Sequence, residues 1–149
     1  MTAAVATLSG GCHCGRIRVA FATTLEPREL APRACDCDFC RKHGAAWISD
    51  PAGSLRVEAE PASALRSYRQ GSETARLLLC AHCGVVVAVG YAEQGRIWAA
   101  VNAGCLDDAT ALAGAVPASP QQLTAEQKVE RWRQLWIADV QLPVSIDAL

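Results

Sequence analysis

Seven of the eight cysteines in this 149-residue chain fall into three short runs, and no other feature restricts the fold as much. The densest run is Cys35-Asp36-Cys37-Asp38-Phe39-Cys40, with three thiols in six residues. So many adjacent sulfurs cannot all be ordinary core side chains. Thiolates are the ligands preferred by soft and borderline metals, and zinc takes sulfur at about 2.3 Å in a tetrahedral shell. Gaps of one and two residues let one tight turn aim Cys35, Cys37 and Cys40 at a single point. Three protein ligands on a metal that takes four leave one position over. An open position separates a catalytic zinc site from a closed structural one.

A secreted disulfide framework is the other common use of eight cysteines. The start, Met1-Thr2-Ala3-Ala4-Val5-Ala6-Thr7-Leu8-Ser9, argues against it, having no basic segment and only a short apolar run. The chain therefore reads as cytoplasmic and reduced, where clustered cysteines bind metals or do redox chemistry. No apolar stretch reaches the roughly 18 residues needed to cross a bilayer. A net charge of -1 lacks the basic face that nucleic acid demands. The length suits one domain, residues 1–149, burying on the order of 70% of the surface of the unfolded chain.

The outer runs share a pattern. Gly10-Gly11-Cys12-His13-Cys14-Gly15 leads into Arg16-Ile17-Arg18-Val19-Ala20-Phe21, whose alternation predicts a half-buried strand. Cys80-Ala81-His82-Cys83-Gly84 leads into Val85-Val86-Val87-Ala88-Val89, β-branched and short. Each cysteine pair sits at a turn closed by a glycine, which tolerates the positive φ that tight wrapping around a metal requires. A thioredoxin-type Cys-x-x-Cys would open a helix, but valines follow here; haem attachment would need histidine at position 84. Cys12, Cys14, Cys80 and Cys83 thus form a natural four-sulfur set that staples distant parts of the chain.

Further short strands are predicted at Trp47–Ser49, Leu55–Val57, Leu65–Tyr68 and Ile97–Val101, separated by turn signals, which argues for a mainly β fold. Ala115–Pro120 reads as a loop. Thr124 and Gln127 form a capping box for a C-terminal helix carrying Val129, Trp132, Leu135 and Trp136 at helical spacing, with the tryptophans expected to dock it on the sheet in preference to stacking on a ligand. Leu142-Pro143-Val144 reads as extended. Cys105, without a cysteine neighbour, either completes the second metal shell or is a buried small hydrophobe; its apolar surroundings favour burial.

In this order and with these gaps, Gly11-Cys12-x-Cys14-Gly15, Cys35-x-Cys37-x-x-Cys40-Arg41, Cys80-x-x-Cys83-Gly84 and Gly104-x-Leu106-Asp107-Asp108 resemble the glutathione-dependent formaldehyde-activating (GFA) family, which includes the centromere protein V domain. The likeness spans residues 9–110, with a helical extension at about 120–149; Trp136, Asp139, Leu142 and Pro143 are similar to the family's closing residues. It implies a mainly β, Mss4-like sheet arrangement with two zinc ions: a structural one on Cys12, Cys14, Cys80 and Cys83, and an active-site one on Cys35, Cys37 and Cys40. Family members usually carry serine or threonine where this chain has Cys105. The implied chemistry is that of a carbon–sulfur lyase, joining glutathione and formaldehyde as S-(hydroxymethyl)glutathione or separating them. A non-catalytic two-zinc scaffold is the competing expectation. Arg41 and Lys42 adjoin the metal turn and are expected either to pair with carboxylates of a glutathione-like ligand or to be a solvated basic pair. His43 is expected either to donate or accept a proton near pH 7 or, as the favoured reading, to lie at the surface or behind the ligands, and Asp36 and Asp38 are expected to be exposed.

Overall fold

The computed structural model describes residues 3–149; Met1 and Thr2, part of the start read above, lie outside the described residues. Eleven strands and two α-helices follow in chain order. The strands are β1 (Ala6–Gly11), β2 (Ile17–Thr23), β3 (Arg33–Cys35), β4 (Trp47–Ile48), β5 (Ser54–Ala59), β6 (Leu65–Tyr68), β7 (Arg76–Cys80), β8 (Val86–Glu93), β9 (Arg96–Asn102), β10 (Val116–Ala118) and β11 (Asp139–Gln141). The helices are α1 (Asp38–His43) and α2 (Ala125–Leu135). One sheet runs β1-β2-β5-β11 and the other β10-β3-β4-β9-β8-β7-β6.

The alternation predicted in β2 is present: Ile17, Val19 and Phe21 are buried and Arg18 is exposed. Across the pair, Val19 faces Val57 and Phe21 faces Leu55, which fixes the register of β2 on β5. Their apolar face packs against Ile48, Leu78, Val87, Ala99 and Val101 of the larger sheet, so the main core lies between the two sheets. β9 buries both faces, sending Ala99 and Val101 into that core and Trp98 and Ala100 into a second one beneath α2. A strand covered on both sides loses alternation, hence its continuous apolar run.

α2 begins where the capping box places it: the Gln127 amide donates to Thr124 Oγ1 (3.1 Å), and the Thr124 amide to Gln127 Oε1 (2.9 Å). Trp132 and Trp136 stack with ring centroids 4.8 Å apart and join Trp47, Leu77 and Trp98 in the second core. Beyond the helix, Ile137 exchanges two backbone hydrogen bonds with Ala99, and the chain then pairs as β11 with β5. One short segment thus touches both sheets.

Several elements depart from the sequence reading. Ala115–Pro120 is not all loop, because Val116–Ala118 pairs in parallel with β3. Pro117 is tolerated since β10 is an edge strand, where a missing N–H costs little. The structure adds β3, β7 and β11 to the expected strands, and also β1, an edge strand with Leu8 as its one large apolar residue. The three clustered cysteines lie not on one tight turn but on a strand end followed by a short helix.

Candidate metal centre

The first cysteine group is made by two similar turns. In each, the amide of the leading cysteine donates to the carbonyl five residues on, Cys12 to Ile17 (3.0 Å) and Cys80 to Val85 (3.1 Å). The closing glycines, Gly15 and Gly84, take φ of 84° and 80°, which a side chain would strain. Cys12, Cys14, Cys80 and Cys83 come together with their sulfurs within 4.8 Å of one another. Cys14 Sγ lies 3.6 Å from the sulfurs of both Cys12 and Cys80. Four ligands at the Zn–S distance on a regular tetrahedron have edges of about 3.8 Å, so the spacing fits such an ion.

Backbone amides aim at these sulfurs: Ile17 at Cys12 (3.2 Å), and His82 and Cys83 at Cys80 (3.3 and 3.4 Å). Donors of this kind stabilise thiolate. Burial pushes the Cys12 thiol up to about 11, whereas the backbone N–H and guanidinium of Arg16 draw Cys14 down to about 6.

The second group contains Cys35, Cys37 and Cys40, again with sulfurs within 4.8 Å of one another. Cys35 ends β3, Cys37 is the residue before α1, and Cys40 lies in the helix. Cys37 Sγ accepts the Cys40 amide at 3.4 Å, so one candidate ligand caps the helix that carries another. The buried Cys40 sulfur also accepts the indole N–H of Trp47 at 3.4 Å. Hydrogen bonding from Cys40 draws the Cys35 thiol down to about 6; Cys40 is pushed up by that same partner and by burial. Gln70 Nε2 approaches Cys37 Sγ at 3.9 Å.

Cys105 joins neither group. It is 7% exposed in the main core, with its thiol directed at the Val87 carbonyl 3.7 Å away, and burial holds it up at about 12. Among the described residues the second group therefore offers three sulfurs that could hold a metal ion and no fourth.

These three cysteines line a cleft of about 430 Å³ between the β3–α1 turn, the 70–72 loop and α2. Trp47, Trp132 and Trp136 form its apolar wall. Arg33, Lys128 and Arg131 supply its cations, and Asp38 is the one carboxylate among its lining residues. Asp38 is already paired with Arg41 at 2.8 Å. Burial, and then the nearby Arg131, hold the Arg33 guanidinium down at about 10.

Arg41 and Lys42 stand exposed on α1 and are not among the residues lining the cleft. His43, also exposed, stacks on Phe39 with centroids 4.2 Å apart. Asp36 is exposed and accepts hydrogen bonds from Ser119 (2.5 Å) and Gln121 (3.0 Å), tying the metal turn to the chain after β10.

The family model for "Glutathione-dependent formaldehyde-activating enzyme" matches residues 7–122, more than half of the chain, and spans all three cysteine runs. The chain belongs to this family. Both candidate metal groups of this GFA protein lie inside the match, as do Arg33 and Trp47, whereas Lys128, Arg131, Trp132 and Trp136 lie beyond it. Among solved structures, a crystal structure of a Rhodobacter sphaeroides protein, a structural genomics target, is similar at 26% identity with a TM-score of 0.51. The similarity covers 72% of this chain and 99% of that one.

Sequence reasoning missed Arg33, Trp47, Gln70, Lys128 and Arg131 as neighbours of the second group. Two periodicities carried a signal. Arg33 precedes Cys35 by two, one strand period, and Lys128, Arg131 and Trp132 share one face of α2 by helical spacing. Gln70 had none, because a loop brings it there.

Proposed function

We propose that this protein is a zinc-dependent carbon–sulfur lyase acting on an adduct of glutathione or a related thiol, such as S-(hydroxymethyl)glutathione. One observation carries the reading: the three-cysteine group opens on a cleft and, among the described residues, has no fourth protein sulfur. Zinc held by Cys35, Cys37 and Cys40 would offer its remaining position to a ligand thiol and favour the thiolate form.

The protein's own residues account for binding and order. Trp47 orients Cys40 through its N–H, and Cys37 fixes the start of α1. The tryptophan wall keeps water from one side of the ligand. Arg33, Lys128 and Arg131 supply positive potential for an acidic tail. In the cleavage direction the C–S bond breaks with its electron pair left on sulfur as thiolate, and the adduct hydroxyl gives up its proton to solvent water as the aldehyde C=O forms. Three thiolates already leave a bound zinc formally negative, so it is a weaker Lewis acid than one held by neutral ligands. The centre is therefore better suited to capturing a thiol than to activating an aldehyde.

In the same reading Cys12, Cys14, Cys80 and Cys83 hold a structural zinc that staples β1–β2 to β7–β8, in the Mss4-like manner expected of the family. Eight free thiols suit a reducing compartment such as the cytoplasm. The test is thiol binding to cobalt-substituted protein. Glutathione should change the sulfur-to-metal charge-transfer band, whereas S-methylglutathione, which cannot become a thiolate, should leave it unchanged. A spectrum indifferent to glutathione would leave only the scaffold reading.

A further inference from the structure

The cations of the cleft are arranged more specifically than a generally basic surface would require. Arg33 and Cys35 stand two residues apart on β3 and so point to the same face, with their Cα atoms ~6.6 Å apart. Trp47 pairs with Arg33 across β3 and β4 and donates to Cys40, so one strand pair positions both the charge and the metal ligand. Arg33 is pinned from behind: its Nη2 donates to Ser49 Oγ at 2.8 Å, and Ser49 Oγ donates to the Leu135 carbonyl at the end of α2 at 2.6 Å. Neither partner carries charge. From the opposite side, Lys128 and Arg131 project from one face of α2 into the same cleft.

Among the described residues, none of Arg33, Lys128 and Arg131 has a carboxylate within ion-pairing distance, although six ion pairs occur elsewhere. The one acidic lining residue, Asp38, is bound by Arg41. Half-buried like charges converging on a cleft repel one another, an arrangement that a bound anion relieves. Guanidinium groups favour carboxylates through paired N–H donors.

The geometry points to Arg33 and Arg131, assisted by Lys128, as a carboxylate subsite that selects the ligand of the Cys35–Cys37–Cys40 centre by the charge of its tail. This rests on the thiol-binding reading and adds its specificity: the ligand is a thiol whose tail bears a carboxylate. Two of the three cations lie on α2, beyond the family match at residue 122, so selection among thiols draws on Lys128 and Arg131 from outside the matched region together with Arg33 inside it.

The test uses the zinc-loaded full chain and three thiols of similar size: 3-mercaptopropionate (anionic), 2-mercaptoethanol (neutral) and cysteamine (cationic). Binding is followed by calorimetry and by fluorescence of the cleft tryptophans, with 3-hydroxypropionate as a thiol-free carboxylate. Wild type should bind 3-mercaptopropionate about tenfold more tightly than 2-mercaptoethanol, and cysteamine least. Arg131→Gln should remove most of this preference and Arg131→Glu should shift it towards cysteamine, while the exposed control Arg66→Gln changes nothing. Arg33→Gln should act like Arg131→Gln, and because it also cuts the link to Ser49, the Arg131 variants decide. Equal binding of all three thiols, or an unchanged order in both Arg131 variants, overturns the subsite and leaves the thiol reading standing. If 3-mercaptopropionate and 3-hydroxypropionate bind equally, the other two thiols do not bind, and Arg131→Glu abolishes both, the subsite stands and the thiol reading falls. Binding of none of the four compounds overturns both.

Discussion

The indole N–H of Trp47 donates to Cys40 Sγ at 3.4 Å, and both residues are buried. A donor aimed at a ligand sulfur fixes its orientation and draws off part of its charge, as residues behind metal ligands commonly do. Trp47→Phe keeps the ring and removes only the donor. Metal affinity at the second centre should fall about tenfold, measured by chelator competition, while the first centre keeps its ion.

The two cysteine groups should respond oppositely to substitution. Cys80 is fully buried and belongs to the group that joins the β1–β2 turn to the β7–β8 turn. A structural zinc contributes around 10 kcal/mol or more, so Cys80→Ser should abolish cooperative unfolding. Cys37→Ser should give a folded protein with one ion, its melting temperature lowered by a few degrees at most. Circular dichroism melts with metal analysis distinguish the cases, and equal losses in the two variants would contradict the division.

Graded chelation should remove the ions in sequence. The cleft-facing centre, with three sulfurs, should empty first, and the four-sulfur centre only near unfolding. Native mass spectrometry should show a one-ion species at intermediate chelator; simultaneous loss of both ions would refute this.

Cys105 should be silent in metal binding. Its thiol is buried and held up at about 12, so it should resist alkylation in the native state. Cys105→Ala should retain both ions and cost about 1 kcal/mol in a urea melt.

Acid sensitivity should include a contribution from Asp50, far from both metal groups in role. Its carboxylate is 4% exposed, and burial opposes its charge, yet hydrogen bonds from Thr23, from the Thr24 hydroxyl and amide and from the Ala52 amide outweigh burial and hold it below its usual 3.8. A lowered folded-state value gives stability that is complete above 3.8 and disappears as pH falls through the folded value. Asp50→Asn should cost about 2 kcal/mol at neutral pH. The difference from wild type in urea midpoints should hold down to about pH 4.5 and shrink below it, and since both proteins lose metal alike in acid, the difference isolates Asp50.

The sequence by itself determined the cysteine grouping, because ligand spacing and glycine placement are local matters: the turns at Cys12–Gly15 and Cys80–Gly84 follow from a few consecutive residues. It also determined β2, the Ile97–Val101 strand and the start of α2, where alternation, apolar runs and a capping box act within one element. Only the tertiary structure decided what surrounds the open centre. Arg33 and Cys35 share a strand face, but Arg131, Trp132 and Gln70 reach them from segments far along the chain, through sheet pairing and the docking of α2. β10 likewise exists only because β3 offers it an edge, a long-range hydrogen-bond match that no window around Pro117 contains. Arg41 and Lys42, adjacent in sequence to Cys40, were drawn away from the cleft for a local reason: α1 turns their side chains to solvent, and Arg41 meets Asp38 one turn earlier. Sequence proximity set the candidate metal-binding cysteines, whereas the surface a ligand would meet was assembled across the fold.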